Sequence, residues 1–461
     1  MRILPVVDPT PEQLPILLIN RPVLVIKGAA GSGKTTTALM RLKQLCSNWS
    51  ARHKRLGLQR PVRVLVLTYN RTLKGYVGEL ARQQIAGTPD LQLEVRTFAR
   101  FALDILQIPN IQNDESVAIL KRLVKPIGLP EKFMLDEVQY LLGRFLPSDI
   151  EDYITTQRDG RGLSPRVDSA LRRKILDEVV YPYAKEKQRR DLLDWNDLAV
   201  EAKDAPAIPW DVIIVDEAQD FSANQIRAVL AHTAAPDYSL TFVVDTAQRI
   251  YPRSYTWKEA GIVNPVVRLL KQNHRNTKQI AAFARGLVEG LTLGEDGIIP
   301  DFNAATAEGP LPKVLVGLFS EQMDWVVEHV ICGAIEAGES VAFLHPLGWF
   351  IYVEKSLKRL QIPYVDLTRQ EFWPEGDESV AISTIHSVKG LEFDHVVIIG
   401  LNQEVTPHGR EAGDVTLENL RRLLAMGIGR ARKTVTIGYK ESGASSLIGY
   451  CSQSTYEEVL L

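Results

Sequence analysis

VLVIKGAAGSGKTTTALMRL, residues 23–42, reads as a buried strand, a glycine-rich loop and a helix in immediate succession. Gly28, Ala29, Ala30, Gly31, Ser32, Gly33, Lys34 and Thr35 fit the pattern G-x-x-x-x-G-K-[ST] in the strand–helix context that gives the pattern its meaning. Glycines at these positions let backbone N–H groups close around phosphates without a Cβ in the way. The helix N-terminus adds its partial positive charge. Lys34 is placed to reach the β- and γ-phosphates and the Thr35 hydroxyl to ligate Mg²⁺, with Thr36 beside them in the first helical turn. A nucleoside triphosphate with Mg²⁺ is therefore the expected ligand.

A metal-bound triphosphate needs an acid to hold the metal and a base to activate water. DVIIVDEAQD, residues 211–220, supplies both at the end of a second apolar run. Asp216 is the expected Mg²⁺ ligand, directly or through water, and Glu217 the general base. Two adjacent acids are also what a solvated strand end carries, but an apolar strand ending in this pair within a chain that has the glycine loop favours chemistry.

Further Val/Ile-rich runs begin at Val62, Leu240, Lys313, Ser340, Ser379, Asp394 and Thr434, with amphipathic segments between them. Continuous apolar runs indicate strands covered on both faces, as in parallel sheets. The fold class read from this is α/β. The stretch from about 101 to 206 differs, being charged, helical in period and almost free of such runs. A chain of 461 residues exceeds one ordinary core. Net charge is −2, which gives no general sign of a polyanion partner, yet no Asp or Glu occurs between Glu12 and Glu79, where Lys34, Arg41, Lys43 and Arg52 lie. Three well-separated cysteines argue against a disulfide framework or a zinc site. No apolar run reaches the length of a membrane span and the N-terminus lacks a signal pattern. A cytoplasmic protein without a membrane partner is the expectation.

At DEAQD the chain begins to resemble the UvrD/Rep/PcrA helicases of superfamily 1A, and the likeness runs in the family's motif order over nearly the whole length. PTPEQL carries Gln13, similar to the family glutamine that reads the adenine edge, which makes ATP the implied nucleotide. VLVLTYN (Thr68, Tyr69, Asn70) and VRTFARF (Thr97, Phe98) resemble segments that touch the nucleic-acid strand, with Ala99 where the family has histidine. VVDTAQRIY resembles G-D-x-x-Q-x-I-Y and implies Gln248 as γ-phosphate sensor. LLKQNHRN resembles L-x-x-N-Y-R-S and implies Arg275 as an arginine finger, with His274 in place of the tyrosine that stacks on adenine. STIHSVKGLEF is close to T-x-H-x-x-K-G-L-E-F, implying that Thr384 and His386 face the strand and Glu392 the ATP sugar. LRRLLAMGIGRARK implies Arg430 as second finger, with Arg432 as the alternative. Tyr255 and Trp257 are the candidates for an aromatic that wedges between bases; packing at a domain interface is the other reading of both.

The resemblance implies two RecA-like P-loop NTPase domains with a mostly helical insertion in the first: 1–100 and 207–267 forming domain 1A, 101–206 the insertion 1B (QRDGRGL and LLDWNDL included), and 268–461 domain 2A. The 2B subdomain of larger relatives has no room at TRQEFWPEGDE. The implied activity is ATP-dependent translocation on single-stranded DNA or 3′–5′ unwinding, in DNA repair, recombination or phage defence. Two other readings stay open: an ATPase switch subunit of a complex containing a partner such as a nuclease, and a motor on RNA.

Overall fold

The computed structural model describes residues 8–28, 31–68, 71–87, 90–158, 166–245, 255–291, 305–368, 370, 373–374, 376–409 and 414–461. Strands β1 (Val23–Gly28), β2 (Val62–Thr68), β3 (Leu91–Thr97), β4 (Val212–Val215), β5 (Ser239–Asp245) and β6 (Val266–Leu270) form one sheet. Its order is β3-β2-β4-β5-β1-β6 and all its pairings are parallel. The apolar run of β4 is buried at every residue, which is what cover on both faces requires. Because the strands are parallel, their carboxyl ends share one edge, where ligands of open α/β sheets bind. Gly28 pairs there with Asp245 and Leu270, Leu67 with Val215, and Thr68 with Thr97.

After a two-stranded pair, β7 (Asn273–Thr277) and β8 (Ala305–Ala307), a second parallel sheet follows. It comprises β9 (Lys313–Val316), β10 (Val341–His345), β11 (Tyr364–Asp366), β12 (Val380–Thr384), β13 (Phe393–Ile398), β14 (Ala431–Tyr439) and β15 (Glu457–Leu460), in the order β11-β12-β10-β13-β14-β9-β15. The expected pair of parallel α/β units is therefore present. The first sheet extends through β6 to Leu270, three residues beyond the 267 read from sequence.

Between β3 and β4 the chain is helical. The helices Phe98–Leu106 and Trp195–Asp204 pack on the first sheet, where Phe98, Phe101, Leu198 and Ala202 join Phe242 and Trp210. Only the chain between them, from Ile119 to Leu192, builds a separate core. LLDWNDL belongs to the junction: Asp194 caps Trp195–Asp204, accepting from Asn196 N and Asp197 N at 2.7 and 2.9 Å, and binds Lys187 Nζ at 2.7 Å. Between β11 and β12 only residues 367–379 intervene. No helix among the described residues is long and apolar enough to cross a membrane.

Candidate nucleotide and strand site

The loop after β1 is built by steric necessity. A Cβ on Gly28 would lie 2.4 Å from Ser32 Oγ and 2.8 Å from Leu270 O, so only glycine fits. Gly33 has φ of 74°, in the left-handed region that glycine adopts without cost, and a Cβ there would meet Gln13 Nε2 at 2.8 Å. Gln13 is thereby held against the loop, accepting from Thr10 N at 2.9 Å and donating to Gly33 O at 3.5 Å. The helix Lys34–Leu56 starts at this point with no acid in its first turn, so its N-terminal dipole is left for an external anion. Thr37 Oγ1 donates to Gly33 O at 2.7 Å, closing the turn, while Thr35 and Thr36 stay half-buried. Lys34 is buried at the loop, and Ser32 Oγ is buried with no hydrogen-bond partner among the described residues.

The acids arrive from β4. Thr35 Oγ1 donates to Asp216 Oδ1 at 3.1 Å and lies 3.3 Å from Oδ2. Burial, and after it the neighbouring Glu217 charge, pushes the Asp216 carboxyl up to about 7, against the opposing pull of the Thr35 hydrogen bond and Lys34. A hydroxyl and a buried carboxylate that resists ionisation, side by side at a phosphate-type loop, form a donor set that suits Mg²⁺. If Asp216 holds the metal as its carboxylate, Mg²⁺ affinity of the nucleotide-free protein should fall about tenfold for each pH unit below about 7. Titration calorimetry between pH 5 and 8 checks this; a flat profile would contradict it. Glu217 follows in the left-handed region at φ 52°, rare for a residue with a side chain, and accepts from the Gln219 amide.

The second domain closes over these acids. Lys389 Nζ binds Asp220 Oδ2 at 2.5 Å and lies 3.7 Å from Glu217 Oε2. All three are buried. Sequence reasoning missed Lys389 and Asp220 as a pair, although both stand inside quoted motifs; their separation along the chain hid it. On the same side Arg275, from β7, donates to Glu392 Oε1 at 2.5 Å and Gly429 O at 3.4 Å. Asn276 Nδ2 donates to Ala431 O at 2.7 Å, so β7 is fastened on both sides of Arg430. Burial works to raise the Glu392 carboxyl, but Arg275, Arg432 and Arg430 hold it below the usual range. Arg430 is buried, whereas the more exposed Arg432 lies 3.6 Å from Asp394 Oδ1. Tyr76, on the helix Arg71–Ile85, packs on Trp373 of the second domain at 5.1 Å between ring centres.

The residues expected to face a strand divide. Thr384 ends β12 beside Ser387, with its Oγ1 2.9 Å from Ser387 Oγ, and His386 is exposed. Thr68 is buried at the end of β2. Thr97 caps the helix Phe98–Leu106 by accepting from Arg100 N at 3.3 Å. Phe98 lies in the core against Phe101 and Phe221, with ring centres 6.2 and 6.0 Å away, as the packing reading of an aromatic near a strand end has it. Trp257 and Tyr255 are half-buried, Trp257 lying 4.9 Å from Phe242 and 6.4 Å from Tyr255. Ala29, Ala30, Tyr69, Asn70 and Gln248 lie outside the described residues, as does the side chain of His274. An aromatic group at the end of β10 carried no motif and was not foreseen. Trp349 lies 5.2 Å from Phe319 and 5.3 Å from Tyr352, and its ring occupies the space a Cβ on Gly400 would need.

Comparison with known proteins gives a consistent answer. The profile of the UvrD/REP helicase N-terminal domain matches residues 10–266, and that of the UvrD-like helicase C-terminal domain residues 351–442. The ATP-dependent DNA helicase PcrA of Leuconostoc citreum is 47% identical over 60 residues, 13% of this chain and 8% of that protein. DNA helicase II of Haemophilus influenzae is 44% identical over 64 residues, 14% of this chain and 9% of that protein. The ATP-dependent DNA helicase Rep of Buchnera aphidicola subsp. Schizaphis graminum is 42% identical over 60 residues, 13% of this chain and 9% of that protein. The matched segments thus cover less than a tenth of each of these relatives.

Proposed function

The chain belongs to the UvrD/Rep helicase family, and from that premise we propose that it hydrolyses ATP to step along single-stranded DNA in the 3′-to-5′ direction. The carrying observation is the contact of Lys389 with Asp220 and Glu217. It joins the acids beside the phosphate loop to the segment of the second domain that also bears Thr384, His386 and Glu392. A change at the γ-phosphate therefore acts on both domains.

In this reading Gln13 binds the adenine edge, and the loop N–H groups and Lys34 hold the phosphates. Thr35 and Asp216 hold Mg²⁺, which supplies neutralising charge at the phosphate oxygens when bound. Glu217 accepts the proton of the attacking water, and Gln248 senses the γ-phosphate. Arg275 and Arg430, from the facing domain, stabilise charge on the transferring phosphoryl group. Single strands are gripped through phosphate charge and stacking, and such recognition favours neither DNA nor RNA strongly. The relatives named above are DNA helicases by name, which favours DNA as the track.

The short connection 367–379 favours stepping over strand separation. The purified chain is expected to displace streptavidin from a 5′-biotinylated oligonucleotide, and not from a 3′-biotinylated one, while unwinding a tailed duplex poorly. Strong processive unwinding by the monomer would contradict the second half of this; equal displacement from both ends would contradict the polarity. Co-purification with a nuclease, without displacement from either end, would instead support the reading as a switch subunit.

A further inference from the structure

The four residues Thr256-Trp257-Lys258-Glu259 form a T-x-x-E box outside any long helix. Thr256 N donates to Glu259 Oε2 at 2.6 Å, and Glu259 N donates to Thr256 Oγ1 at 3.2 Å. Both ends of the turn that carries Trp257 are thus tied to one glutamate. The other oxygen of that carboxylate is taken by the helical insertion. Arg144, at the end of the helix Glu131–Arg144, donates to Glu259 Oε1 through Nη2 at 2.6 Å and Nε at 3.1 Å.

Arg144 is itself built in. Its side chain is 4% exposed, it donates to Gln157 O at 2.9 Å and to Tyr140 Oη, and it lies 5.5 Å from the ring centre of Phe145. A second arginine braces the joint through the backbone: Arg227 donates to Arg144 O at 2.8 Å and Glu259 O at 2.7 Å. Asn224 Nδ2 holds the end of the same helix at Leu142 O and Phe145 O, 2.8 and 2.9 Å away. A Cβ on Gly143 would stand 2.9 Å from Ser222 Cβ, so the helix end meets the first domain at backbone distance. The insertion is therefore not hinged loosely at this point. It bears directly on the segment that carries Trp257.

Resting on the proposed reading of the chain as a strand-driven ATPase, with Trp257 taken as its base-stacking aromatic, we propose that Arg144 is a positioning residue for the single-strand grip: through Glu259 it fixes the turn that carries Trp257, so the seating of the helical insertion sets the affinity for unpaired nucleic acid. A lysine keeps the charge but cannot fork onto one carboxylate while reaching Gln157 and Tyr140.

The test is steady-state ATP hydrolysis by the full chain against oligo-dT concentration, for wild type, Arg144→Lys, Glu259→Gln, the double variant, and Arg144→Lys in a Trp257→Ala background. The expected result is a rise of about tenfold in the half-activating oligonucleotide concentration for either single variant, the size of one weakened base contact. The strand-free kcat and the KM for ATP stay within about twofold. The double variant is no worse than the singles, and Arg144→Lys adds nothing once Trp257 is gone. Half-activation unchanged in folded single variants would overturn the proposal. So would a parallel fall of strand-free kcat, which marks a merely structural role, or a full Arg144→Lys effect without Trp257. If Arg144→Lys does not fold, Glu259→Gln, which keeps the shape of the turn, decides alone. Wild-type hydrolysis indifferent to oligo-dT would instead remove the strand-driven reading on which this one stands.

Discussion

Arg430→Ala is expected to lower kcat for ATP hydrolysis by about 10³–10⁵ while leaving ATP binding within a few-fold, the loss seen when a charge-stabilising arginine is removed from phosphoryl transfer. The transferring group spreads negative charge over its equatorial oxygens, and a fixed guanidinium from the opposing domain meets that charge only when the cleft is closed. Arg430 is suited to this by being buried and by its backbone setting, with Arg430 O accepting from Phe393 N at 3.0 Å and Asn276 bound to Ala431 O. Arg432→Ala is the control. Lying 3.6 Å from Asp394 and about a third exposed, it should cost less than about tenfold, in keeping with the small worth of solvent-exposed ion pairs. Single-turnover hydrolysis with matched nucleotide-binding titrations separates the two. A larger loss from Arg432→Ala than from Arg430→Ala would reverse the assignment.

Glu217→Gln is expected to lower kcat by about 10²–10⁴, the usual share of a positioned general base, with the KM for ATP little changed. The amide keeps the shape of the side chain, but it has no negative charge to take the water proton. The substitution also removes the attraction to Lys389 at 3.7 Å, but Asp220 remains beside that ammonium, so the buried cation keeps its partner. A folded variant with intact nucleotide binding and near-normal turnover would show that another group takes the proton.

Much of this was legible because the chemistry sits where continuous apolar runs end. β1, β2, β4, β10 and β12 announce themselves as buried Val/Ile runs; Lys34 and Asp216 follow β1 and β4 within a few residues, and Thr384 ends β12. β3 and β6 escaped notice for a physical reason. Both lie at the sheet edges, and runs such as LQLEVRT and VVRLL carry charge where one face meets solvent. The helical insertion was visible by its missing strands, but its limits were not. Amphipathic period does not say what a helix packs on, and Phe98–Leu106 and Trp195–Asp204 turned out to cover the first sheet. Phe98 shows the same ambiguity at residue level. A motif aromatic next to a strand end reads as a base platform or as core, and its neighbours Phe101 and Phe221 place it in the core. The joins between distant segments, Lys389 with Asp220 and Arg144 with Glu259, had no signature at all, since each partner is locally an ordinary surface-type charge.

The central claim is that nucleotide chemistry in the cleft is coupled to a single strand. Steady-state ATP hydrolysis with and without single-stranded DNA and RNA oligonucleotides, beside a Lys34→Ala control, tests it most directly. The account predicts strong stimulation by DNA and no hydrolysis above background in the control, with the DNA-to-RNA ratio naming the track. Brisk Lys34-dependent hydrolysis indifferent to either nucleic acid would contradict it.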